Sequence, residues 1–138
     1  MKVLLDLNVV LDVVQNRLPY YQDSAEVLSL ARLGEIEALL PSHALTTLYY
    51  ILAKASAKPK ADQIIDWMLA HFDVAVADKA VFRRARQLAL PDFEDAVVAS
   101  LAEAGHCDYI ITRNVADFAG SPVAAVTPTN FLSTRSQP

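Results

Sequence analysis

The 138 residues include one cysteine, three glycines and three histidines. A lone Cys107 cannot close a disulfide within the chain, so a reducing, cytoplasmic setting is expected. So few glycines argue against a flexible or loop-dominated fold. No apolar run approaches the roughly 20 residues that a membrane-spanning helix needs. Met1-Lys2 leads into an apolar run that Asp6 cuts short, a pattern unlike a signal peptide. Positive charge is also scarce: the net charge of −4 provides no general attraction to nucleic acid, so such a ligand would need a local basic patch or a second subunit. His43, His71 and His106 share no metal-ligand spacing.

The chain is 54% hydrophobic and 20% charged, which is enough apolar material for one folded domain. That domain is expected over 1–132, with 133–138 as a frayed tail. Short apolar runs alternate with helical spacings. Strands are expected at 2–5, 37–40, 73–76, 108–112 and 123–126. Helices are expected at 8–15, 23–33 (capped by Asp23 or Ser24), 44–54, 61–71, 79–88 and 93–104, with Lys58-Pro59-Lys60 as a connector and Gly105 as a C-terminal cap. This alternation predicts an α/β fold, a parallel sheet of four to five strands covered on both faces.

Acids stand where the apolar runs end. Val3-Leu4-Leu5 stops at Asp6, and Tyr109-Ile110-Ile111 stops at Thr112, with Asn114 and Asp117 just beyond. In open parallel sheets, ligands bind outside the carboxyl ends of the strands, and oxygen-only clusters there suit a hard divalent cation. Asp6 is either the N-cap of the following helix or a metal ligand, with Asn8 placed to orient it. Asp92 and Asp95 have capping-box spacing, but three acids in four residues (Asp92, Glu94, Asp95) exceed what a cap needs, which singles out Asp95. Asn114 and Asp117 are spaced to share one face of a helical turn, and from this motif alone a loop cap is the simpler reading. Arg113 is either a phosphate contact or an ion-pair partner, and Asp12 could orient it. Lys54, Lys58 and Lys60, or Arg83, Arg84 and Arg86, are further candidate phosphate contacts, the arginines reading more simply as a solvated helix face. Cys107 reads as a core thiol.

Asp6-Leu7-Asn8-Val9-Val10-Leu11-Asp12, Asp92-Phe93-Glu94-Asp95-Ala96 and Thr112-Arg113-Asn114-Val115-Ala116-Asp117-Phe118, with a closing Val126 to Leu132 pattern, resemble the PIN domain family. Within it they resemble the VapC-like toxins of bacterial toxin–antitoxin pairs. The resemblance implies a three-layer α/β/α fold and a Mg²⁺- or Mn²⁺-dependent ribonuclease. It assigns Asp6, Asp95 and Asp117 as catalytic and metal-holding acids and Asn114 as a supporting residue. It also implies an RNA substrate, an antitoxin partner and a homodimer. Two positions depart from the pattern. Leu7 replaces the hydroxyl residue of the first motif, and Thr47 occupies the place of the family's second acid. The loss of that charge predicts weaker metal binding, for which Glu94 or Asp12 could supply a substitute carboxylate.

Two other readings compete. One is a catalytically impaired PIN-fold module that binds RNA or a protein. The other is an aspartyl-phosphate phosphatase or receiver-like domain. The phosphatase pattern wants a second Asp where Asn8 stands, and a receiver wants a Lys after the last strand, where Val126 leads to Thr127-Pro128.

Overall fold

The computed structural model describes residues 1–136. Five strands form one sheet: β1 (Lys2–Leu5), β2 (Glu37–Pro41), β3 (Asp73–Ala75), β4 (Tyr109–Ile111) and β5 (Ala125–Val126). All neighbours pair in parallel, in the order β3-β2-β1-β4-β5. The chain builds outward from β1 to β3 on one side, then returns to lay β4 and β5 on the other. The order therefore reverses between β1 and β4, the place where doubly wound sheets open a ligand crevice.

Among the described residues, seven α-helices cover the sheet: α1 (Leu7–Val14), α2 (Tyr21–Arg32), α3 (Ser42–Ala55), α4 (Lys58–His71), α5 (Lys79–Gln87), α6 (Phe93–Ala104) and α7 (Pro128–Ser136). Side chains alternate across a strand, and β1 shows the consequence. Val3 and Leu5 join a core with residues of α1, α2, α3 and α4 and with Phe131 of α7. Leu4 points the other way, into a core with α5, α6 and Phe118. These two cores make the three layers. No helix among the described residues is long and apolar enough to cross a membrane.

The structure shifts several expected boundaries for identifiable reasons. Lys58-Pro59-Lys60 is the first turn of α4 rather than a connector, because proline is tolerated where helix N–H groups lack partners anyway. Helix α2 begins at Tyr21, so neither Asp23 nor Ser24 caps it. Ser24 is instead fully buried, and its hydroxyl donates to Asp12 Oδ2 at 3.3 Å. Helix α7 carries the chain on through Ser136 where fraying is expected from 133; residues 137–138 of that tail lie outside the described residues. Gly105 ends α6 with φ −82°, so left-handed backbone is not what selects it. A Cβ there would meet the Leu101 carbonyl oxygen at 3.2 Å and Leu39 Cδ2 at 3.4 Å, which favours glycine for packing.

Candidate functional site

Asp6 follows β1 and stands at the N-cap of α1, but its side chain makes no capping hydrogen bond. The capping explanation for this acid therefore fails. Its Oδ2 instead accepts from Thr112 Oγ1 at 2.7 Å and from Asn8 Nδ2 at 3.3 Å. Thr112 is fully buried at the end of β4, and its Oγ1 also accepts the Asn114 N–H at 3.1 Å. Asn8 Oδ1 accepts the Arg113 N–H at 3.4 Å. One small network thus ties the ends of β1 and β4 together at the reversal point and fixes one oxygen of Asp6. Asn8 thus touches Asp6, the acid it is expected to neighbour. Thr112 is an addition, foreshadowed in the sequence only by being the first polar residue after an apolar run.

Asp92 caps α6 by accepting the Asp95 N–H at 2.9 Å. Asp95 then sits in the first turn, where the peptide dipoles favour an anion. Its pKa is nonetheless pushed up to about 6, first by burial and then by the charges of Asp92, Asp6, Asp117 and Glu94. These acids, expected from distant parts of the sequence, do come within electrostatic reach of one another. Asp92, Asp95 and Asp117 line a shared cavity of about 230 Å³. Asp117 lies in a 3-10 turn (Val115–Phe118) that starts after Asn114, with the Asp117 N–H donating to the Asn114 carbonyl at 3.0 Å. The expected helical turn is present, and Asn114 contributes backbone to it. Burial also raises the pKa of Asp6, partly offset by the Thr112 hydrogen bond.

Such a set is chemically suited to a divalent cation. Its donors are all oxygens, and after burial the charges of the neighbouring acids add to the upward shift at Asp95. Among the described residues, however, no three acids, histidines or cysteines are gathered into a preformed metal-holding group. An ion would have to draw Asp6, Asp95 and Asp117 together.

Arg113 had two possible roles, and the structure fills the second. Its Nε lies 2.9 Å from Oδ2 of the fully buried Asp12, and its guanidinium stacks 4.2 Å from the centre of the Tyr20 ring. Neither that Nε–H nor Asp12 Oδ1 completes a well-directed hydrogen bond among the described residues, so charge more than geometry holds the pair. Desolvation raises the Asp12 pKa against the pull of Arg113. Asp12 is therefore an internal anchor and not a spare carboxylate on the site. Arg84 is similarly engaged, with Glu103 at 2.8 Å.

Thr47 is exposed, and its hydroxyl donates back to the His43 carbonyl at 3.2 Å. Glu94 does approach the site: its charge bears on both Asp6 and Asp95, and its Oε1 lies 3.7 Å from His43 Nε2. His43 is the residue that sequence spacing passes over, because nothing local links it to α6. Cys107 is a buried thiol whose pKa burial lifts to about 11, consistent with an inert core residue.

The fold recurs among solved toxin–antitoxin structures. It matches VapBC from Salmonella typhimurium, solved bound to DNA, at 17% identity and TM-score 0.71, covering 93% of this chain and 98% of that one. It matches VapBC2 from Rickettsia felis, bound to a promoter DNA fragment, at 19% identity and TM-score 0.69, covering 92% and 98%. It also matches Mycobacterium tuberculosis VapC20, a sarcin-ricin loop cleaving toxin, at 10% identity and TM-score 0.62, covering 78% and 86%. No curated protein sequence matched the chain. The PIN domain profile matches residues 2–116, which include Asp6, Asp95 and the Thr112 network and stop one residue short of Asp117. With the parallel sheet, the reversal point and the acids around it, this match shows that the chain belongs to the PIN domain family.

Proposed function

We propose that this PIN domain is a Mg²⁺- or Mn²⁺-dependent endoribonuclease of the VapC toxin type, hydrolysing RNA phosphodiester bonds at the carboxyl edge of its sheet. The observation that carries the reading is the state of Asp6. It leaves its capping role unfilled and is held by Thr112 and Asn8 beside the partly buried Asp95. A structural acid would not need this arrangement, whereas a ligand-holding acid gains orientation from it.

Asp6, Asp95 and Asp117 would hold the ion, which when bound polarises a phosphodiester and eases deprotonation of the attacking water. The chain's own residues prepare the site. Thr112 and Asn8 aim Asp6, the Asn114 turn presents Asp117, and the Asp12–Arg113 pair anchors the segment between them. Asp6→Asn is expected to lower Mg²⁺- or Mn²⁺-dependent RNA cleavage by about a hundredfold or more, the scale of losing one charge-stabilising group at a reacting centre. Equal cleavage by both proteins would sink the assignment.

A second reading, a PIN module with impaired catalysis, is favoured by Thr47, whose hydroxyl is turned back onto its own helix. Thr47→Glu restores a carboxylate at that position. It is expected to tighten Mn²⁺ binding about tenfold, on the scale of changes around metal ligands, as read by titration calorimetry. Unchanged affinity would show that position 47 does not face the acids.

An antitoxin partner, a homodimer and a cytoplasmic setting complete the proposal. The toxin–antitoxin complexes that share the fold support the partner. A small reading frame beside the gene would favour the toxin role.

A further inference from the structure

This inference rests on the reading of the acidic edge as an RNA site and adds a residue to it. An edge this acidic repels the phosphates it has to receive, so the substrate needs hydrogen-bond donors close to the carboxylates. Arg113 is the nearest cation by sequence, and it is committed to Asp12 and Tyr20. Helix α3 offers another donor. His43 and Thr47 are four residues apart, so they share one helix face, one turn apart. His43 is the nearer of the two to the start of the helix, which follows the carboxyl end of β2.

The structure shows where that face points. His43 Nε2 lies 3.7 Å from Glu94 Oε1, and Glu94 in turn bears electrostatically on Asp6 and Asp95. The contact is longer than a hydrogen bond, and the two side chains are 36% and 72% exposed. A contact this open costs little to exchange. The imidazole is therefore free to turn an N–H toward an incoming phosphate oxygen.

We propose that His43 is a substrate-binding residue of this site, donating a hydrogen bond to an RNA phosphate next to the bond to be cut. It would supply from the first turn of α3 a contact that Thr47, one turn later, does not make.

The test is binding, read separately from cleavage. The probe is a fluorescein-labelled single-stranded RNA, followed by anisotropy with the full chain in EDTA so that no metal-dependent hydrolysis intervenes. His43→Ala is expected to weaken binding about tenfold, the scale of one hydrogen bond to a charged group. His43→Gln, which keeps an N–H donor, is expected to recover part of that loss. His71→Ala, a histidine change just before β3 at the amino edge of the sheet, is expected to bind as wild type does. Wild-type affinity in His43→Ala, an equal loss in His71→Ala, or no RNA binding by the wild type would each overturn the proposal. A protein that binds RNA through His43 but never cleaves it would keep this inference and lose the hydrolysis reading.

Discussion

Arg113→Ala is expected to lower the unfolding free energy by about 3 kcal/mol, because removing one partner of a buried pair strands the other charge. Asp12 is fully buried, Arg113 Nε lies 2.9 Å away, and Ser24 donates a hydrogen bond to the carboxylate. The arginine side chain is 24% exposed, which places the effect at the low end of the range for broken buried pairs. Urea denaturation reads the change directly. The loss should shrink as pH falls, since Asp12, already shifted upward by desolvation, can then take a proton in the folded state. A paired replacement, Asp12→Leu with Arg113→Met, should restore most of the stability, because apolar substitutes avoid the desolvation cost. It would not restore the tie between α1 and the segment after β4, so Mn²⁺ affinity should stay reduced. A loss of less than about 1 kcal/mol in Arg113→Ala would mean that the pair behaves as a solvated surface contact.

Asp95→Asn is expected to gain stability at neutral pH while losing cleavage by about a hundredfold, the scale of removing a charge-stabilising group. The carboxyl of Asp95 is raised from its ordinary 3.8 to about 6. A raised acid binds its proton more tightly in the folded state than in the unfolded one. Its contribution is therefore favourable in acid and is lost as pH rises from about 4 through about 6. Asp95 is partly exposed, so after allowing for solvent screening the effect is about 1 kcal/mol. Thermal unfolding of both proteins at about pH 5 and about pH 8 separates the cases. The wild type should lose stability between the two conditions, and Asp95→Asn should lose less. A parallel fall in both would mean that Asp95 carries no excess repulsion. A gain in stability from deleting a candidate functional acid is the expected mark of a site that is strained without its ligand.

The sequence exposes the elements whose signals are local. Phe93–Ala104 is legible because Asp92 caps it and Gly105 follows it, and the structure gives those bounds. Strand β1 is legible because Asp6 ends an apolar run. The start of α2 is not, since Asp23 and Ser24 look like caps while Ser24 is recruited by the buried Asp12 from another helix. Lys58-Pro59-Lys60 misleads in the same way, because proline reads as a break and a first helical turn tolerates it. Among the candidate site residues, Asp95 is visible as one acid of a group in excess of capping needs, while Asp6 reads equally as a cap and Asp117 is assigned only by the family resemblance. Thr112 and His43 are not visible, because their significance lies in partners far along the chain.

The alternation of apolar runs and helical spacings, by itself, determined a parallel sheet covered on both faces and put acids at the strand ends. Those are consequences of side-chain periodicity, which is a local property. Strand order is not local. Only the tertiary structure decided that β4 lies beside β1, which brings Thr112 to Asp6 across 106 residues of sequence. It also decided that Arg113 turns to a buried Asp12 and that α3 presents His43 to Glu94. Each of these depends on contacts between elements that meet only when the sheet has closed around its two cores.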